Sequence, residues 1–182
     1  MTTVYISFNT AINYLTTQHL AAASFDQVAQ GATHLYYLFS TPGGLVDPGI
    51  SVYNILKGLP VETTMHNVGA VESIGNAVFL AGKNRFASPH STFMFHGVGF
   101  DPAQQRLEEK FLRERLDSVQ ALQRKIGGVL KDRTTLKDEE IDELFVEENN
   151  RDTDFAMGKG IITEVKDVAI PKGARTIQLV FN

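Results

Sequence analysis

Apolar runs of strand length alternate with helical stripes up to about residue 100, and a long charged, amphipathic stretch follows. That order predicts an α/β domain with a helical extension. At 182 residues and 43% hydrophobic composition, the chain suits one domain with a substantial core, spanning 1–182, and is too short for a second full one.

The elements follow in order. "TVYISF" (Thr3 to Phe8) reads as a strand, and the next run carries Leu15, Leu20, Ala23 and Val28 at helical spacing, closed by Gly31. "HLYYLFS" (His34 to Ser40) is a second strand stopped by "TPGG"; Ile50, Tyr53, Ile55 and Leu56 then form a helical stripe ending at "KGLP". "VETTMHNV" (Val61 to Val68) is a third strand, leading into "VGAVESIGNAVFLAG", whose "SIGNAVFLAG" predicts a buried helix. "RFASP" and "STFMFHG" supply two further strand-like pieces.

From Pro102 to Lys131 the apolar residues Leu107, Phe111, Leu112, Leu116, Val119 and Leu122 recur among many charges, which predicts one long amphipathic helix over about 102–131. Such a length exceeds what a small domain needs, so part of it either projects against another subunit or lies across the monomer. "TLKDEEIDELF" predicts a short helix starting at Thr134 or Thr135, and "DTDFAMGKGIITEV" a helix turning at Gly158 or Gly160 into a final strand.

Net charge is −4 with both signs dispersed, so neither nucleic acid nor an acidic membrane surface is an expected partner. The chain has no cysteine, which excludes disulfides, thiolate metal sites and a cysteine nucleophile. No apolar run approaches the roughly 20 residues needed to span a bilayer, and "MTTVYISFNTAINYL" lacks the pattern of a secretory leader. A soluble, cytoplasmic protein is the default expectation.

Three segments carry groups suited to chemistry. The glycines of "STPGG" leave amide hydrogens free to face an anion, or simply make a turn. Ser73 is either a small residue that lets a buried helix pack closely or a nucleophile at a helix start, where the Ile74 amide lies beside its hydroxyl. His96 ends the alternating strand "TFMFH", so it emerges at the sheet edge, where a neutral imidazole can take a serine proton.

Together "STPGGLVDPGISVYNIL", "VGAVESIGNAVFLAGKNRF" and "SPHSTFMFHG" resemble the Clp protease proteolytic subunit family, from about residue 3 to about residue 170. The resemblance implies a crotonase-like spiral of repeated strand-strand-helix units with a long projecting handle helix. It implies a self-compartmentalised serine peptidase acting on peptides or unfolded polypeptides, with no cofactor and no metal. Position by position, Ser73 falls on the nucleophile, His96 on the general base, and Gly44 with Ile74 on the two oxyanion donors. The family's acid is an aspartate; counting back in register from Gly160 lands on Glu148, a small gap would select Asp152 instead, and Asn149 or Asn150 could orient the ring without charge. The family's pore-lining segment precedes the first strand, which here begins at Thr3, and that puts a Clp-type ATPase partner in doubt.

A homo-oligomeric ring using the long helix is expected. Substrate is expected as an extended strand between Leu45 and Val46 on one side and Gly97 and Val98 on the other, with an apolar pocket beside the scissile bond. Three other readings stand beside this one: a crotonase-type acyl-CoA enzyme, which needs no serine; a Ser–Lys dyad using Lys83, ten residues past the serine and out of reach on a helix; and a catalytically inactive scaffold subunit.

Overall fold

The computed structural model describes residues 2–100 and 106–181. Its frame is a mostly parallel sheet in the order β6-β5-β3-β2-β1-β8, with β4 paired to β3 and β7 to β4. The strands of this frame are β1 (Thr3–Asn9), β2 (His34–Thr41), β3 (Glu62–Glu72), β4 (Asn84–Ala87), β5 (Thr92–Met94), β6 (Asn150–Arg151), β7 (Glu164–Val165) and β8 (Arg175–Gln178). Helices α1 (Tyr14–Ala29), α2 (Val46–Lys57), α3 (Gly75–Phe79), α4 (Glu109–Arg133), α5 (Asp138–Glu147) and α6 (Thr153–Gly158) complete it. Every strand pair is parallel except β5 with β6.

The pleat of β2 sorts its side chains onto two faces. Leu35, Tyr37 and Phe39 are fully buried under the helices, while His34, Tyr36 and Leu38 are half-buried on the other face. α2 and α3 close the helical side through Val52, Leu56, Val78 and Phe79, and Phe79 meets Phe93 of β5 edge-on at 5.3 Å. Each such side chain contributes about 1.5–3 kcal/mol by leaving water.

Several expectations need correction. β3 runs on to Glu72, so "GAVE" is strand and only Gly75–Phe79 is helix. The extension is set by pairing: Val68 and Gly69 are exposed, and Ala70–Glu72 are held as strand by β5. The long helix starts at Glu109: Pro102 to Gln105 lie outside the described residues, and Glu108 is extended (φ −98°, ψ 153°), its carbonyl taking the Leu112 N–H at 3.0 Å. α4 then runs two residues past Lys131, to Arg133, before Thr134 returns its hydroxyl to the Leu130 carbonyl. α5 begins at Asp138, because the Lys137 N–H is capped by the Glu140 carboxylate at 2.9 Å. β8 follows β7 as the last strand and pairs with β1. On α1, Leu20 is buried as expected but Leu15 is exposed; Thr16, Thr17 and Ser24 take the inner face by returning their hydroxyls to main-chain carbonyls.

α4 divides in two. From Ile126 onward it packs on α2, α3 and α5, whereas its first half buries no side chain and leaves Leu112 and Leu116 about half exposed.

The non-helical face of the sheet is pinned by His66, which is fully buried. Its Nε2 lies 3.1 Å from the Lys166 carbonyl, which can only accept, so Nε2 carries the proton and the Tyr36 hydroxyl donates to Nδ1 at 2.6 Å. Lys166 Nζ sits 3.3 Å from the centre of the Phe86 ring, and the segment after β7 is thereby clamped to the sheet. Burial holds His66 below the ordinary imidazole range, and burial does the same to His34. A base with a lowered folded pKa is neutral in the fold and charged in the unfolded chain, so its stabilisation is complete above the unfolded value of about 6.5 and is lost as pH falls below it. Thermal melts should therefore show a falling Tm from pH 7 to pH 5. His66→Gln should flatten that slope, by up to about 1.4 kcal/mol per pH unit. A slope unchanged by the substitution would remove His66 as its source.

Candidate active site

Because β2, β3 and β5 are parallel, their carboxyl ends lie at one edge of the sheet, where α/β folds gather ligands. β2 leads into Pro42–Gly43–Gly44, β3 into Ser73, and β5 into His96. The three segments singled out in the sequence are thus neighbours.

Ser73 occupies a sharp strand-to-helix turn at φ 55°, a left-handed conformation that costs a side-chain-bearing residue about 1–3 kcal/mol. The turn is held by its neighbours: the Ser73 N–H donates to the Met94 carbonyl at 2.9 Å, and the Asn76 N–H to the Ser73 carbonyl at 3.1 Å. Strained turns of this kind present a nucleophile clear of the sheet.

Gly43 and Gly44 are both required by space. A Cβ on Gly43 (φ 85°) would lie 2.6 Å from Ser73 Cβ, and one on Gly44 (φ 145°) 2.2 Å from the Ile12 carbonyl oxygen. The loop is tied to Ile12 by Ile12 N–H to the Gly43 carbonyl and Leu45 N–H to the Ile12 carbonyl, each 2.8 Å. Those bonds pass over Gly44. Its N–H, and that of Ile74, have no acceptor among the described residues, leaving two amides beside Ser73 able to hold an anion.

His96 is half-buried, and its Nδ1 lies 2.7 Å from the Gly97 carbonyl. A carbonyl only accepts, so Nδ1 carries the proton and Nε2 has the free lone pair, the tautomer a general base needs. Among the described residues no hydrogen bond joins His96 to Ser73 or to Glu148. Glu148 is exposed, in the left-handed conformation (φ 52°) just after α5. β5 and β6 pair Phe93 with Arg151 and Met94 with Asn150, and the ladder ends there, two residues short of His96 on one strand and of Glu148 on the other. Asp152 lies at the other end of that ladder and is occupied: it N-caps α6, accepting the Phe155 N–H at 2.9 Å. Asn149 and Asn150 are exposed, Asn150 within β6.

Of the four residues expected to receive a peptide backbone, two already use their main-chain groups within the chain. Leu45 donates to Ile12 and accepts from Gly49, while Gly97 donates to the Phe145 carbonyl at 2.9 Å and accepts from His96. The N–H groups of Val46, at the start of α2, and of Val98 have no acceptor among the described residues. A cavity of about 420 Å³ opens between α4 and α5, with Ile141 and Phe145 on its floor and Gln123, Arg124, Lys131 and Asp142 around it. Lys83 lies beyond α3, and its Nζ donates to the Val61 carbonyl at 2.8 Å, at the end of β3 remote from Ser73. Among the described residues no group of three or more His, Cys, Asp or Glu could hold a metal, and no helix is long and apolar enough to cross a membrane.

Sequence reasoning passed over Asn76, whose side chain bridges Ser73 to β5. The signal was a single amide in an otherwise apolar helix, three residues after the serine.

The family model for Clp protease matches residues 5–169. The chain belongs to the Clp protease family. Among its relatives, an ATP-dependent Clp protease proteolytic subunit 1 of Corynebacterium jeikeium (strain K411) is 26% identical over 135 residues, 70% of each chain. The ATP-dependent Clp protease proteolytic subunit of Vitis vinifera is 34% identical over 64 residues, 34% of this chain. That of Oltmannsiellopsis viridis is 30% identical over 105 residues, 55% of this chain. The matched stretches span 33% of the Vitis vinifera protein and 51% of the Oltmannsiellopsis viridis one. Family membership bears out the resemblance read from the three motifs, and the mixed sheet with its helices bears out the α/β class.

The geometry at Gly44 makes a direct prediction. Gly44→Ala must break the Ile12 pairing and should cost at least about 2 kcal/mol in a urea melt. Gly99→Ala, where an added Cβ meets nothing within 4 Å, should cost under about 0.5 kcal/mol.

Proposed function

We propose that the chain is a serine-type endopeptidase, with Ser73 as nucleophile, His96 as general base and Glu148 as the acid that orients it. The observation that carries this is the hydroxyl of Ser73, raised on a left-handed turn beside two unspent amides and at the same sheet edge as His96. The Ser73 oxygen attacks the peptide carbonyl carbon while His96 Nε2 takes its proton, and the amides of Gly44 and Ile74 hold the resulting oxyanion. Collapse breaks the C–N bond as His96 returns the proton to the departing amine. Water, deprotonated in turn by His96, then releases the acyl group from Ser73.

For Glu148 the support is the register count back from Gly160 together with the capping duty of Asp152. Its carboxylate would replace the Gly97 carbonyl on Nδ1 and stabilise the imidazolium. Substrate would lie as an extended strand by Val46 and Val98, and its side chain next to the scissile bond in an apolar pocket. The substrate class is peptides or unfolded polypeptide. The curated relatives are named ATP-dependent; for this chain short peptides should be cleaved without nucleotide, since they need no unfolding.

The assembly is a homo-oligomer built on the exposed half of α4. Leu112 and Leu116 there would each yield about 1.5–3 kcal/mol on full burial. The inactive-scaffold reading has one observation in its favour, the Gly97 carbonyl on His96 where a triad would put an acid.

Three measurements test the proposal. A fluorophosphonate should modify the chain at Ser73, and Ser73→Ala should abolish both labelling and cleavage; an unlabelled, inactive wild type would favour the scaffold. Glu148→Gln should lower kcat on the order of 10³- to 10⁴-fold without changing assembly, and Asp152→Asn should leave kcat near wild type; the reverse pattern moves the acid to Asp152. In sedimentation the wild type should run as an oligomer at micromolar concentration and Leu116→Glu should shift it toward monomer, whereas a wild-type monomer would sink the assembly.

A further inference from the structure

Asn76 is 1% exposed in a helix that is otherwise apolar, three residues after the nucleophile. Its side-chain amide donates to two carbonyls at once, Ser73 at 3.1 Å and Met94 at 2.7 Å. The main chain adds the bonds from Ser73 N–H to Met94 and from Asn76 N–H to Ser73. Both the N–H and the carbonyl of Ser73 are therefore gripped, and the grip reaches β5 two residues before His96. The amide can sit only one way round, because both neighbours are carbonyl oxygens and require its NH₂. This arrangement has a visible cost: Asn76 Oδ1 is buried with no partner among the described residues, a penalty an alanine would not carry.

We infer that Asn76 is a positioning residue for the nucleophile, its amide clasping the Ser73 and Met94 carbonyls so that the end of β3 is held in fixed register with the end of β5. The inference rests on the peptidase reading of Ser73 and adds a part to it. Asn76 touches no reacting atom; it acts through the Ser73 turn and through the strand that carries His96. A second buried asparagine supplies the internal comparison. Asn67 also bridges β3 to β5, donating to the Thr92 carbonyl at 2.8 Å and accepting the Gly69 N–H at 3.0 Å. It ties the same two strands six residues before Ser73 and leaves the nucleophile's own peptide alone.

The test compares Asn76→Ala, Asn76→Ser and Asn67→Ala in the full chain by three readouts: peptide kinetics, the urea midpoint, and the rate of fluorophosphonate labelling at Ser73. Asn76→Ala should lower kcat and the labelling rate about 10- to 100-fold, the scale of a misplaced reacting group, with KM within about twofold. Asn76→Ser retains one donor that can reach back to the Ser73 carbonyl and should fall between wild type and alanine, which keeps the test open if the alanine variant does not fold. Asn67→Ala should lose stability comparably while kcat and labelling stay within about twofold of wild type. Wild-type labelling in both Asn76 variants would overturn the inference, and so would losses of kcat that track the urea midpoint alike at Asn67 and Asn76. A wild-type chain that neither labels nor cleaves would overturn the peptidase reading, and the inference with it.

Discussion

The parallel pairing of β3 is the constraint on which the remainder rests. β3 is eleven residues long and is bonded along one side to β2, while its other side is shared between β4, over Thr64–Asn67, and β5, over Ala70–Glu72. Parallel strands point their carboxyl ends the same way, so this pairing alone brings the Gly43–Gly44 loop, Ser73 and His96 to one edge. An antiparallel β5 would have delivered His96 to the opposite edge. The convergence of residues 44, 73 and 96 is a property of the ladder before it is a property of any side chain.

The handover from β4 to β5 leaves polar groups inside the sheet to bridge the strands. The ladder between β2 and β3 shifts between Phe39 and Thr41, and Ser40 Oγ fills the gap by accepting the Ala70 N–H and donating to the Ala70 carbonyl. Asn67 spans the break on the other side. Asn67 is a buried polar group that would cost about 1–3 kcal/mol unpaired, and Ser40 is half-buried, so the paired arrangement is preferred to slipped ones. The strain of Ser73 at φ 55° is carried separately, by the bonds of its own N–H and of the Asn76 amide to the Met94 carbonyl, which would be lost if the turn relaxed.

What could be read in the sequence follows the same physics. β2 was legible as an aromatic and leucine-rich run of strand length stopped at Pro42–Gly43–Gly44, and α2 through the helical spacing of Ile50, Tyr53 and Leu56. The end of β3 was not: Val68 and Gly69 are exposed, and Ala70–Glu72 are strand through pairing with β5, which no local pattern announces. β8 escaped because four mostly exposed residues, Arg175–Gln178, earn their strand from β1 and from no pattern of their own. Ser73, Gly44, Ile74 and His96 were singled out through family motifs, and the parallel ladder brings the segments that carry them to one edge. Glu148 came from counting register along the sequence, and the β5–β6 ladder stops at Met94 and Asn150, short of it. The Gly97 carbonyl on His96 had no sequence signal, since every residue owns a carbonyl.

That carbonyl also couples the site to the helical extension. Gly97 donates its N–H to Phe145, the carbonyl of the last turn of α5, while its own carbonyl holds the His96 proton. Three residues after Phe145 the chain reaches Glu148, and the side chain of Phe145 is buried against the α4–α5 seam with Ile126 and Ile141. The Gly97 carbonyl that orients the imidazole is therefore anchored, through the same residue's N–H, to the last turn of α5, so the setting of His96 depends on how α5 packs against α4.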